Sequence, residues 1–142
     1  MRNVSWARLV PELLVGDMSA SLSFWTGLGF SVLYRREEEG FAYLDLDGAQ
    51  IMLEEVRANR TWVTGPLQRP YGRGINFQIA VPAIEPLVEA LRSQGWPLFL
   101  APEERWYRAD GIEFGVRQFL AQDPDGYLLR FSASIGQRPW AG

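Results

Sequence analysis

Two periodicities take turns along this chain, one of strand type and one of helix type. Residues 9–16 (LVPELLVG) form an apolar run of strand length, with Pro11 marking an edge or a bulge. Asp17 or Ser19 can cap a helix that carries Leu22, Phe24 and Trp25 and ends near Gly27. Three strand-like segments follow at 29–36, 41–47 and 49–55. They are separated by Gly40 and by Asp47-Gly48, a pair that favours a tight hairpin turn. Residues 56–72 break the pattern with Gly65, Pro66, Pro70 and Gly72 and read as a crossover loop or linker. Then the order returns. Residues 75–81 read as a strand, and 83–94 as a helix with Ile84, Leu87, Val88 and Leu91 on one face. A short strand at 97–101 and two longer ones at 114–122 and 127–134 complete the pattern.

The recurrence is also visible in the spacing. Val15 and Gly29 stand fourteen residues apart, as do Val81 and Gly95, and each glycine is followed by an aromatic, Phe30 or Trp96. Each half thus reads strand–helix–strand–strand–strand. A half of about 65 residues buries too little by itself, so the two halves are expected to share one compact α+β domain. The expected modules are 1–66, with an N-terminal extension and linker, and 67–142. Helices would cover the outer faces, and curled mixed sheets would form a cup. Before the last strand stands QDPDGYLLRF, residues 122–131. Pro124 presets φ for a turn, Asp123 can accept a backbone hydrogen bond within it, and Gly126 can take the left-handed conformation that closes it. Past the turn, Tyr127, Leu129 and Phe131 alternate with Leu128, Arg130 and Ser132, which places an arginine inside an apolar strand.

Composition narrows the chemistry. Aromatics make up 13% of the 142 residues and include six tryptophans, more than a core of this size requires, so some suit a binding surface. A net charge of −3 with no basic stripe argues against a nucleic-acid partner. There is no cysteine, which excludes disulfides and thiolate chemistry, and no histidine, which removes the commonest general base and transition-metal ligand. No run approaches membrane-spanning length, and the expected location is the cytoplasm.

With these segments placed, the chain resembles a known family. The two βαβββ modules, the early LLVGDMSASLSFWTGLGF and the closing QDPDGYLLRF are similar to the vicinal-oxygen-chelate superfamily of glyoxalases, bleomycin-resistance proteins and dioxygenases. FWTGLGFS is closest to the bleomycin-resistance type, one residue short at the helix end. The resemblance implies a homodimer. It also implies, for the enzymes, a divalent metal held by one ligand from each of four strands. Counting from the motifs, those positions fall on Val10, about Met52, Asn76 and Arg130. Val10 and Met52 offer no hard donor, Asn76 is a weak one, and a guanidinium beside the site opposes a cation. The resemblance therefore points to a metal-free protein without a cofactor that sequesters an antibiotic-like small molecule, cationic molecules included, in an aromatic-lined groove. The alternative is a metal-dependent lyase, isomerase or dioxygenase with an all-oxygen site drawn from Glu12, Glu54, Asn76 and Gln78.

The candidate ligand-binding residues are Glu54, Trp62, Asn76, Gln78, Trp106, Tyr107, Phe114 and Arg130. Arg130 reads either as a contact for an anionic or carbonyl group or as the ion-pair partner of Glu54 or Glu12. Asn76 and Gln78 alternate with Ile75, Phe77 and Ile79, so the apolar set should meet the helix and the amides face the cup. Trp62 suits stacking on a flat ligand or a dimer contact. Trp106, Tyr107 and Phe114 flank a polar, glycine-containing turn within 103–115, either a pocket rim or a long hairpin. Trp6 and Trp25 suit packing, and Glu37–Glu39 a solvated turn.

Overall fold

A computed structural model describes residues 5–57 and 62–142. Eight strands and two α-helices run in the order β1 (Glu12–Val15), α1 (Met18–Gly27), β2 (Ser31–Arg36), β3 (Phe41–Leu46), β4 (Ala49–Glu55), β5 (Asn76–Ala80), α2 (Glu85–Ser93), β6 (Leu100–Ala109), β7 (Ile112–Gln122) and β8 (Leu128–Pro139). They make two open four-stranded mixed sheets, ordered β1-β4-β3-β2 and β5-β8-β7-β6. The expected pair of βαβββ modules in an α+β fold is therefore present. The chain divides into two compact units, residues Met1–Tyr71 with Asp123–Gly126, and residues Gly72–Gln122 with Tyr127–Gly142. Among the described residues no helix is long and apolar enough to cross a membrane.

The internal repeat extends to the backbone. In each unit the first and last strands pair in parallel, β1 with β4 and β5 with β8. Each helix also ends in the same way. Gly29 and Gly95 take positive φ, 106° and 67°. The next amide reaches back five residues, Phe30 N to Trp25 O at 3.2 Å and Trp96 N to Leu91 O at 2.9 Å. This is the Schellman arrangement, in which a left-handed residue lets the chain satisfy a terminal carbonyl. The Gly-aromatic pairs at matched spacing were its trace in the sequence. At the other end of α1, Asp17 caps the helix by accepting from Ala20 N at 3.1 Å.

Alternation decides which sheet face is core. In the first unit Leu13, Val15, Ala42, Leu44, Ile51 and Leu53 are buried, together with Phe24 and Trp25 of α1. In the second unit Ile79, Phe119, Ala121, Leu129 and Phe131 are buried with Leu87, Val88 and Leu91 of α2. Ile75 precedes β5 and is exposed, so the expected apolar set of that strand reduces to Phe77 and Ile79.

Three features of the second unit differ from expectation. The short strand placed at 97–101 begins instead at Leu100 and runs to Ala109. The polar turn expected within 103–115 shrinks to Asp110-Gly111, where Asp110 has φ 57°. Charged residues alternate on both faces of this edge strand, which hides the apolar period that identifies a strand while discouraging edge-to-edge pairing. The last strand also runs beyond 134, to Pro139.

Candidate functional site

The second unit carries a polar patch on the face of its sheet away from α2. Register sets its members. Gln78 lies beside Arg130, Leu120 opposite Arg130, and Gln118 opposite Ser132 and Glu103. Asn76, Gln78 and Arg130 consequently share one face with Gln118, Tyr107 and Phe114. Arg130 Nη2 donates to Gln78 Oε1 at 2.8 Å. Gln118 Nε2 donates to Glu103 Oε2 at 2.9 Å and to the Tyr107 hydroxyl at 2.7 Å. Two polar atoms of this patch, Arg130 Nε and Gln118 Oε1, are buried with no hydrogen-bond partner among the described residues. They belong to diagonal neighbours on adjacent strands. A buried polar atom left unpaired costs roughly 1–3 kcal/mol, so each of these two atoms would be stabilised by a polar partner.

The sequence candidates distribute unevenly. Asn76, Gln78, Tyr107, Phe114 and Arg130 come to this face, and Tyr107 and Phe114 are register partners with partly exposed rings. Trp106 does not. It lies across Gly115 on the opposite face, with the Arg138 guanidinium 4.0 Å from its ring centroid. Trp62 is largely exposed. Glu54 belongs to the first unit, on β4 opposite Phe41. Gln118 and Glu103 were not selected from the sequence. Their position depends on a bulge between Leu100 and Glu103 that no local pattern announces.

The first unit has its own non-helix face, and it is aromatic. Tyr34, Phe41 and Tyr43 lie together on β2 and β3, with Tyr34 and Tyr43 stacked at 5.4 Å. Trp6, ahead of the first strand, meets Tyr43 edge-on at 5.1 Å and Tyr34 at 6.2 Å. Gln50 ties that segment down: its Oε1 accepts from Ala7 N and the Tyr43 hydroxyl, and its Nε2 donates to Ser5 O and Asp45 Oδ1. Burial pushes the Tyr43 phenol above its ordinary value, helped by Tyr34 and Asp45, so the ring stays neutral. The packing expected of Trp6 is thus packing onto this face, with the indole still half-exposed.

The metal positions counted from the motifs can be judged by donor chemistry. Val10 lies ahead of β1, Met52 is the register partner of Glu12, and Asn76 and Arg130 occupy β5 and β8. An alkyl group, a thioether, an amide and a guanidinium do not fit a divalent cation. Among the described residues no three Asp or Glu side chains gather into a metal-holding group. On the helix side of the second unit lies a groove of about 530 Å³ lined by Glu85, Val88, Glu89, Arg92, Ala101, Pro102 and Arg117. It is on the face opposite Arg130.

Known proteins sharpen this picture. No curated protein matches the chain. A glyoxalase/bleomycin-resistance/dioxygenase superfamily member from Vibrio splendidus 12B01 is 39% identical, the match covering 86% of this chain and 94% of that one, with a TM-score of 0.39. TioX from Micromonospora sp. ML1 is 18% identical over 93% of this chain and 100% of its own, with a TM-score of 0.68. A glyoxalase/bleomycin-resistance/dioxygenase protein from Alicyclobacillus acidocaldarius is 19% identical over 96% of each chain, with a TM-score of 0.61. The last two show the fold alone. Residues 7–131 match the family model directly, and the chain belongs to the Glyoxalase/Bleomycin resistance protein/Dioxygenase superfamily.

Proposed function

We propose that this protein is a small-molecule binder of the bleomycin-resistance type, which sequesters a flat, drug-like ligand without a metal. One observation carries the reading. At the last-strand position, where family enzymes place a metal ligand, stands Arg130, steadied by Gln78 and with a buried Nε–H still to be satisfied. A guanidinium in that place recognises a carbonyl or anionic oxygen through directed N–H donors. Gln118 Oε1 supplies an acceptor beside it, and Tyr107 and Phe114 provide apolar ring surface. Such a site orients and holds a ligand; it has no need of a nucleophile or a general base. Sequestration as a dimer, in the cytoplasm, is part of the same proposal.

The test is a titration with a bleomycin-class compound followed by tryptophan fluorescence. We expect saturable binding, weakened about tenfold or more by Arg130→Ala, the loss of a charged hydrogen bond. No response up to high micromolar concentration removes that ligand class, and unchanged binding in the variant removes Arg130 from the site.

A further inference from the structure

The aromatic face of the first unit already holds a cation. The Arg36 guanidinium lies 4.0 Å from the Phe41 ring centroid and 5.9 Å from that of Tyr34. Its Nε donates to Glu39 Oε1 at 2.8 Å, across the 3₁₀ turn Glu37–Glu39. The side chain remains 42% exposed, so it rests on the rings from the solvent side rather than forming part of the core. Behind these two rings the aromatic side chains pack on one another: Tyr34 stacked on Tyr43, Phe41 tilted against Tyr34, and Trp6 edge-on to both tyrosines. Directly opposite Phe41 on the neighbouring strand is Glu54, a carboxylate on the same face. Electron-rich rings with an adjacent carboxylate form an environment that stabilises a weakly hydrated cation.

We infer that the Tyr34 and Phe41 rings, backed by Tyr43 and Trp6, are a binding seat for an organic cation, a quaternary ammonium or guanidinium group, and that Arg36 is its internal occupant. The arrangement has a direct consequence. An incoming cation competes with a side chain tethered to the same turn, so the resident guanidinium lowers apparent affinity by the fraction of time it occupies the rings. Glu39 holds the guanidinium in the arrangement where it rests on Phe41, so this ion pair favours the occupied state. This seat uses first-unit residues only and does not depend on the role of Arg130.

Choline is a suitable probe, since it offers no carbonyl or anion to Arg130. Its neutral carbon isostere, 3,3-dimethylbutan-1-ol, has nearly the same shape without the charge. Followed by NMR of the Tyr34 and Trp6 ring protons, choline should shift these signals in a saturable manner and the alcohol should not. Arg36→Ala should tighten choline about fivefold by clearing the seat, and Tyr34→Leu should weaken it. The Arg36 side chain is exposed enough that its removal leaves the folded chain intact, so that comparison stands even where the tyrosine variant is poorly folded. Equal shifts by the two probes, no shift in either the parent or Arg36→Ala, or weaker choline binding in Arg36→Ala would each overturn the inference.

Discussion

At the scale of single residues, the most consequential side chain is Asp125, in the middle of the DPDGY motif. It is 2% exposed, and its carboxylate collects three donors in the first unit. Gly16 N donates at 3.0 Å, Arg69 Nη2 at 2.6 Å and Ser21 Oγ at 3.5 Å. The Asp125 hydrogen bond holds the Arg69 guanidinium above its ordinary value. The turn therefore does more than reverse the chain. It pins the start of α1 and the Arg69 segment to one buried charge. Asp125→Asn keeps the shape but removes the charge and one acceptor, and we expect a loss of roughly 2–3 kcal/mol in a urea melt. An unchanged midpoint would show that the carboxylate is not bearing these contacts. The turn itself was legible: Asp123 Oδ1 accepts from Asp125 N at 3.0 Å, and Gly126 has φ 95°. The latch was not, because its partners stand 56 to 109 positions away and nothing local marks them.

Elements were readable where either a cap, as Asp17 at α1, or a clear period, as the apolar face of α2, marked them. Both helices and the Asp47-Gly48 hairpin, with positive φ at both turn residues, follow from patterns that short-range sterics enforce. The long β6–β7 hairpin was one of the two readings of 103–115, but the extent of β6 was missed because its alternating charges look like a loop, while the constraint that shapes it is tertiary. A Cβ on Gly115 would lie 2.7 Å from the Trp106 ring and 2.8 Å from Ile135. Between elements, Arg117 of β7 meets Glu85 at the start of α2, Nε to Oε2 at 2.6 Å. That hydrogen bond, before any other cause, lowers the Glu85 carboxyl below its ordinary 4.5. A depressed acid contributes stability above its unfolded value and loses it as pH falls through the folded one. The contribution is thus present near neutrality and disappears in the acid range below 4.5. Arg117→Ala should return the Glu85 carboxyl towards its ordinary value in an NMR titration. An unmoved titration would mean that the backbone contact at the helix start, not Arg117, sets it.

For the molecule as a whole, the duplicated βαβββ order and the family were visible in the sequence because turn glycines, caps and strand lengths recur at fixed spacing. The site was visible only in part. Counting from DPDGY reaches Arg130, and alternation selects Gln78, yet their pairing and the neighbouring Gln118 emerge only once strand register is known, since a shift of one residue changes every face. Trp106, so promising in sequence beside Tyr107, goes to the other face for the same reason. The proposed function turns on one residue, Arg130, at the position counted for a metal ligand: we propose that it serves direct recognition of an organic ligand there. The most direct test is calorimetry of a bleomycin-class compound against protein exhaustively treated with a chelator and against protein supplied with Mg²⁺, Mn²⁺ or Zn²⁺. We predict the same affinity in every case. Binding that vanishes after chelation and returns with one of the metals would contradict the account.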